Sequence, residues 1–496
     1  MKRTLLLIAA LSITGAQSQE ISDAIRYSTD NLNGTARFRA MSGAFGALGG
    51  DFSSLSVNPA GSAVFINNQA GFTLSSYNKK NESNYFGTKE SDKESAFDLN
   101  QAAAVFVFNN SNPDSDWRKL SIGVAYENTN DFDNSVFSAG MNPNNSVANY
   151  FLSYANQGGG IPLADLQDFY YEELSYGAGQ AFLGYQSYLI DPAESGSGYV
   201  SNVPAGGNFY QENSLISTGY NGKLSFNAAT QYKDKIYFGL NLNSHFTDYR
   251  KSTSFYEQNS NDATTGIQRL RFNNDLYTYG SGFSFQLGAI AKVTREFRFG
   301  LAYESPTWYR LNDELSQNIS TVRVENGASL NEYVDPGVTI VYDVYKLQTP
   351  GKWTGSLAYV FGTTSLISVD YSIKDYSNTE FRPSEDLYFQ AINSQMSDLL
   401  DTAGELRIGA EHRIKQFSLR AGYRMVESPY KDGRVVGDLT GYSGGIGYNF
   451  GSTRLDLSYS YAKQDFEQSI FSQGFVDAPE IKSVNNNVSL SLVFEL

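Results

Sequence analysis

The sequence contains no cysteine, 2 histidines and 3 tryptophans in 496 residues, and no apolar run long enough to cross a bilayer as a helix. Each scarcity removes a class of function. Without cysteine there are no disulfide staples, thiolate metal sites or cysteine nucleophiles. His245 and His412 each lack a partner histidine. A Ser–His hydrolase and histidine ligation of haem or metal therefore have little support, and no nucleophile elbow is expected beside them. No metal site and no cofactor are expected.

A membrane helix needs roughly 20 apolar residues. The one short apolar run, Leu5 to Ile13, follows Lys2 and Arg3 and precedes Gly15-Ala16-Gln17-Ser18. That layout predicts a signal peptide over residues 1–18, cleaved after Ser18, and an exported chain. No cysteine follows the run, so no lipoprotein anchor is expected. Charge is also scarce, at 18% of residues, and biased: the net value is -15, or -17 after cleavage. An acidic chain is a poor match for the phosphates of nucleic acid.

What the chain has in quantity is tyrosine (35), phenylalanine (33) and glycine (45), arranged with a period of two. In GKLSFNAATQY, Leu224, Phe226, Ala228, Thr230 and Tyr232 share one face, with Ser225, Asn227 and Gln231 on the other. KIYFGLNLNSHF, FSFQLGAIA and RLDLSYSYA alternate in the same way. Side chains that alternate are the mark of a strand, and segments of about ten such residues suit a barrel wall in lipid.

Fourteen such strands are predicted, near 69–78, 99–109, 118–129, 215–232, 235–257, 267–293, 296–315, 338–361, 364–377, 404–414, 416–428, 439–450, 453–466 and 485–496. Short links such as YKDK, IKQ and FGS alternate with long ones at about 79–98, 130–214, 258–266, 316–337, 378–403, 429–438 and 467–484. Tight turns on one side and long loops on the other are the habit of outer-membrane barrels. The fold class read here is all-β: a transmembrane antiparallel barrel of about 14 strands with helical extracellular loops. In VSLSLVFEL, Val488, Leu490, Leu492, Phe494 and Leu496 share a face, so the chain ends on a lipid-facing position.

Two loops carry helical spacing. Behind Pro162 it joins Leu163, Leu166, Phe169, Tyr170 and Leu174; after Ser384, read as an N-cap, it joins Leu387, Ala391, Ile392, Leu399 and Leu400. These stripes either pack on the barrel rim or receive a greasy ligand, and Phe169 and Tyr170 are kept as ligand-binding candidates. Alternation also turns many charges inward: Asp370, Lys374, Glu405, Arg407, Glu411, Arg413, Arg420, Arg424, Arg454 and Asp456. Two readings stay open. Most form a cross-strand charge ladder, or one or two of Arg407, Arg413, Arg420 and Arg424 receive a carboxylate headgroup on their planar donors.

The stretch MSGAFGALGGDFSSLSVNPAGSAVF, residues 41–65, alternates with neither period. Its small residues suit close approach to a wall, Ser42, Ser53, Ser54, Ser56 and Asn58 can serve its backbone, and Pro59 fixes a turn. The small-residue run at Ala40–Gly50, Asp51, Asn58-Pro59-Ala60 and an immediate first strand resemble the FadL-like family of outer-membrane transporters. RFGLAYESPTWYR, TPGKWTGSLAYVF and LRIGAEHRI resemble it further along. The resemblance implies an N-terminal hatch over 19–68 inside a barrel over 69–496, with an extracellular insertion at about 130–214. Its motif is Gly49, Gly50, Asp51, Asn58, Pro59 and Ala60.

It also implies passive transport of hydrophobic molecules, long-chain fatty acids first, without enzymatic activity. Substrate would be captured by extracellular loops and released when the hatch shifts, with a sideways exit through the wall. Expected partners are such small molecules, outer-membrane lipid and lipopolysaccharide, and the barrel-assembly machinery. The alternative is a FadL-like barrel that acts as an interaction or shuttle component of a protein secretion system. A general diffusion porin and an outer-membrane hydrolase rank below these.

Overall fold

The computed structural model describes residues 19–261 and 264–496; the signal peptide expected at 1–18 lies outside them. The wall strands, numbered here β1 to β14, are Gln69–Tyr85 (β1), Thr88–Asn109 (β2), Trp117–Asp131 continued by Asn134–Asn142 (β3), and Phe209–Tyr232 (β4). Ile236–Asn259 (β5), Gly266–Lys292 (β6), and Phe297–Glu304 with Trp308–Glu325 (β7) follow. The eighth strand (β8) runs in pieces, Ala328–Val334, Ile340–Val341, Tyr345–Gln348 and Lys352–Phe361. Ser365–Asp375 with Glu380–Arg382 (β9), Thr402–Ile414 (β10), Phe417–Val426 (β11), Leu439–Asn449 (β12), Thr453–Glu467 (β13) and Glu480–Glu495 (β14) complete the set.

Every neighbouring pair is antiparallel, and β1 closes on β14 from Gln69 opposite Glu495 to Asn84 opposite Glu480. Closure leaves no edge with unpaired backbone, which a lipid environment requires. No helix among the described residues is long and apolar enough to cross a membrane. The barrel is the fourteen-stranded one expected from alternation.

The outward face of β5 marks where lipid ends. Phe238, Leu240 and Leu242 are exposed, and above them the same face turns to Asp248, Arg250, Ser252 and Ser254. Alternation continues, but its outer member becomes polar. The strands therefore run on past the apolar band, and three links expected to be long loops are not. Residues 79–98 form the upper parts of β1 and β2, joined by the two-residue turn Phe86-Gly87. Residues 316–334 do the same through Asn326-Gly327, and only 260–265 separate β5 from β6. Asn326 and Gly327 both have positive φ, 50° and 78°, the geometry that a type I′ hairpin needs and Asn-Gly supplies.

The flanks of the 130–214 insertion are likewise strand. Residues 134–142 pair with 209–217, and the helical part is 143–208. The seventh and eighth strands, expected to be continuous, break at 305–307 and 349–351. Pro306 and Pro350 lack the N–H that a ladder needs there.

Among the described residues, seven α-helices stand apart from the wall. Ile21–Ser28 (α1), Ala36–Ala40 (α2) and Ser54–Val57 (α3) belong to the N-terminal segment inside the barrel. Ala148–Ala155 (α4), Leu163–Asp168 (α5) and Tyr176–Gln186 (α6) form a cap at the long-loop end. Tyr150, Phe151, Leu166 and Leu183 of this cap pack on Phe255 of β5, Phe272 of β6 and Ile319 of β7. Leu387–Leu399 (α7) starts from Asp386, whose carboxylate accepts from Tyr388 N and Phe389 N at 2.9 and 3.2 Å. Ser384 was the expected cap. Of the expected apolar stripe, Ile392 and Leu400 are buried, while Leu387 is exposed.

Candidate functional site

The N-terminal segment fills the lumen at the level of the apolar band, and nearly all of 33–63 is buried. A segment that joins no sheet must find partners for its own N–H and C=O groups. Its internal turns meet part of that need. Asn58 Oδ1 accepts from Ala60 N at 3.1 Å while its Nδ2 donates to Gly46 O at 2.8 Å and to Ala289 O of the wall at 3.0 Å. Asp51 Oδ1 accepts from Thr35 Oγ1 at 2.7 Å and from Ser53 N at 3.0 Å. Gly49 and Gly50 both have positive φ, 63° and 67°. A Cβ on Gly49 would also meet Val64 at 2.6 Å, whereas Gly50 has room for one.

The remaining groups are met by inward side chains around the wall. Asn100 Oδ1 accepts from Gly34 N at 2.6 Å, and Ser491 Oγ from Ala36 N at 2.6 Å. Asn227 donates to Pro59 O at 3.0 Å, Asn241 to Leu55 O at 2.8 Å, and Gln286 to Ser56 O at 3.0 Å. Arg298 donates to Leu48 O at 2.9 Å and Ser443 to Ala40 O at 3.0 Å. Asp370 accepts from both Phe45 N and Gly46 N at 2.9 Å. The segment's own serines and Asn58 are expected to help with this; wall residues on eight strands share it. The signal was present in the sequence as Asn, Gln and Ser on the inward positions of otherwise apolar strands.

A second set of wall residues went unread. Gly239, Gly288, Gly300, Gly409, Gly422 and Gly445 all point inward where the segment touches the wall. A Cβ on Gly409 would lie 2.6 Å from Met41 O, on Gly422 2.5 Å from the Met41 carbonyl carbon, and on Gly445 2.6 Å from Ala40 Cβ. On Gly239, Gly288 and Gly300 it would collide with Pro59, Asn58 and Gly46 respectively. Gly239 lies directly opposite Gly288, and Gly409 opposite Gly422. These glycines bring the inner wall to bare backbone where the Asn58-Pro59-Ala60 turn and the Ala40–Gly46 run rest. Gly441-Tyr442-Ser443-Gly444-Gly445 spells a hydrolase nucleophile elbow, but it runs through an unbroken strand, with Ser443 bonded to Ser42 and Ala40.

The inward charges pair with one another. Glu405 accepts from Arg407 at 2.7 and 2.6 Å and from Arg424 at 2.6 Å. Glu411 takes Arg420 at 2.7 Å, Arg413 at 3.0 Å and, from the N-terminal segment, Arg37 at 2.8 Å. Asp456 takes Arg420 at 2.7 Å and Arg454 at 3.0 Å. Asp30 of the segment sits between Lys352 at 2.8 Å and Lys374 at 3.1 Å, and its carbonyl accepts from Arg424 at 2.9 Å.

Above the segment lies a cavity of about 1370 Å³. Its floor includes Ile21, Ile25 and Leu32, its roof Tyr154, Tyr176 and Phe471, and its sides Tyr77, Tyr249, Ile392 and Leu399. Of the four candidate arginines only Arg424 lines it. Arg407 and Arg420 are buried within the ladder, and Arg413 is exposed at the short-turn end. Phe169 and Tyr170 lie on the outer surface of the cap, exposed and away from the cavity. His245 is buried against Ser284 at 2.8 Å, and His412 sits at the short-turn rim, bonded to Ser365 at 2.8 Å. No group of three or more His, Asp or Glu suited to a metal occurs among the described residues.

Glu257 of β5 lies above the apolar band, where it fastens the cap. It accepts from Ser146 Oγ, from Val147 N at 2.9 Å and from Gln211 Nε2 at 2.7 Å. Burial raises its carboxyl from the ordinary 4.5 to about 6, outweighing those hydrogen bonds.

This combination defines an architecture: a closed fourteen-stranded barrel with its N-terminal segment seated inside. It is the FadL-like fold. A FadL homologue of Pseudomonas aeruginosa superposes with a TM-score of 0.54 at 12% identity, covering 94% of this chain and 99% of that one. The Pseudomonas putida toluene transporter TodX superposes with a TM-score of 0.52 at 13% identity, with the same coverage. No family model matches the sequence, and no curated protein matches it. The resemblance read from the chain is thus carried by the fold.

Proposed function

We propose that the protein is an outer-membrane channel for hydrophobic small molecules, with long-chain fatty acids the first substrate class, and that it is not an enzyme. The short-turn end then faces the periplasm and the cap faces outward. The observation that carries the reading is the position of the cavity. It opens among cap and loop residues, and its floor is the N-terminal segment, so a molecule that enters meets the segment before any way out.

The segment acts as a hatch. Much of its seat is polar caps and bare glycine backbone, single contacts that water can replace at a net cost of roughly 1 kcal/mol each, beside apolar clusters that join Phe45, Phe52 and Leu55 to the wall. The matched breaks at 305–307 and 349–351 interrupt the ladder of the wall, and a small cavity lined by Ser28, Asp30, Thr307 and Pro350 lies inside them. They are the sideways exit in this reading.

The test is uptake of labelled oleate by cells lacking the gene and by cells in which it is restored. Restoration is expected to raise uptake several-fold. Unchanged uptake combined with lost protein secretion would replace this reading with that of a secretion component.

A further inference from the structure

The outer surface of the barrel carries a row of three cations in register. Arg310 of β7 is directly opposite Lys346 of β8, and Lys346 is directly opposite Arg382 of β9. All three are exposed and point away from the lumen. Like charges facing each other across neighbouring strands repel, and the row belongs to a chain of net charge -15. One acid answers it: Glu380 pairs with Arg382 at 2.9 Å. Among the described residues, neither Arg310 nor Lys346 takes part in an ion pair or a side-chain hydrogen bond.

The height of the row matters. One step below it on the same face are Phe283 and Trp308, nearly parallel with ring centroids 6.5 Å apart, and Trp308 Nε1 donates to Gln348 at 3.2 Å. Trp353, against Tyr303 at 4.7 Å, continues the aromatic band. Tryptophan and tyrosine collect where hydrocarbon meets headgroups, so the row stands at headgroup level at the long-loop end. On the opposite arc, β12 and β13 present Tyr442, Tyr459 and Tyr461, and the cation one step above them, Lys463, is answered by Asp465 at 3.6 Å.

We propose that Arg310, Lys346 and Arg382 form a binding site for the phosphorylated glucosamine headgroup of lipopolysaccharide in the outer leaflet. Planar guanidinium donors suit a phosphate bidentately, and the ammonium between them adds a point charge. Adjacent strands lie about 4.8 Å apart, so the row spans about 10 Å, enough for one phosphorylated sugar unit. The bound phosphate supplies the counter-charge that the wall itself withholds. The site takes its outward orientation from the proposed function but not its mechanism.

The experiment uses the full barrel, refolded without lipopolysaccharide, with bisphosphorylated lipid A added in detergent micelles and bound lipid counted by native mass spectrometry. Wild type is expected to retain one lipid A, and Arg310→Gln/Lys346→Gln to bind at least fivefold more weakly. Binding is expected to fall as salt rises, and lipid A stripped of phosphate is expected not to bind wild type. Equal binding by the double variant, while its unboiled gel shift shows an intact barrel, would overturn the proposal. So would equal binding of the phosphate-free lipid, or phosphatidylglycerol binding as tightly as lipid A. Oleate uptake by the double variant is expected to match wild type, which separates failure of this site from failure of the channel reading.

Discussion

The barrel is filled in two ways at two heights. At the level of the apolar band, the N-terminal segment meets the wall through amides, hydroxyls, ion pairs and glycine backbone as well as through apolar clusters that join Phe52 and Leu55 to Val105 and Val493, and Phe45 and Leu48 to Ala358. Above the band, α4 to α6 meet the inner faces of β5 to β7 through interlocking rings, with Phe272 lying 5.2 Å from Phe151 and 6.2 Å from Phe471. The first packing combines buried apolar side chains, among them Phe45, Phe52 and Leu55, with many polar contacts; the second is chiefly apolar. The contrast separates a part tied to the wall by many polar contacts from a part held around the cavity chiefly by apolar packing.

Three tests would sharpen or break that contrast. The largest effect is expected from a tether. Ser42 of the segment and Ser443 of β12 have hydroxyl oxygens 2.8 Å apart, and the chain has no cysteine of its own. In Ser42→Cys/Ser443→Cys, oxidation is expected to cut oleate uptake at least tenfold, and a reductant to restore it. Uptake that survives complete disulfide formation would mean that the segment does not need to move.

A smaller and opposite pair of effects comes from truncation. Phe272→Ala should loosen the cap by about 3–5 kcal/mol, read as faster proteolysis within 143–208. Asn58→Ala should cost about 1–3 kcal/mol, read as faster hydrogen exchange over 40–65 with the cap unchanged. If either variant loosened both regions equally, the two packings would be one cooperative unit.

The smallest effect is set by Glu257. Its folded pKa is raised, so its contribution is fully present below 4.5, is lost as pH rises through about 6, and is then constant. Cap proteolysis is expected to be slower at pH 4.5 than at pH 7. Glu257→Gln should remove the difference, since the amide can still accept from Val147 and Gln211 and donate to Ser146.

Much of this was legible because alternation is dictated by lipid on one side and packed protein on the other. The fourteen strands, the odd stretch 41–65 and the inward charges could all be read. The upper halves of β1, β2, β7 and β8 could not, because outside lipid the outer residues are polar and the period of two loses its contrast. Asp92, Ser320 and Thr321 look like loop for that reason. The wall glycines were invisible for another: Gly288 and Gly409 are ordinary letters until the partner they approach is known. α4 is hard to see in sequence because its buried stripe, Ala148, Phe151 and Ala155, is short and bounded by alanines, with Tyr150 buried off that face.

The ion pairs that join the N-terminal segment to the wall have a geometric consequence. Among the described residues they run from Arg37 to Glu411 on β10 and from Asp30 to Lys352 on β8 and Lys374 on β9. On the arc from β4 to β6 the contacts to its backbone come instead from neutral Asn227, Asn241 and Gln286. A displacement that keeps the ionic contacts must therefore be a rotation hung on the β8–β10 side. In the proposed hatch motion such a rotation would swing the Asn58-Pro59-Ala60 turn away from Gly239 and Gly288 first, with that turn as the free edge and Asp30 as the hinge post.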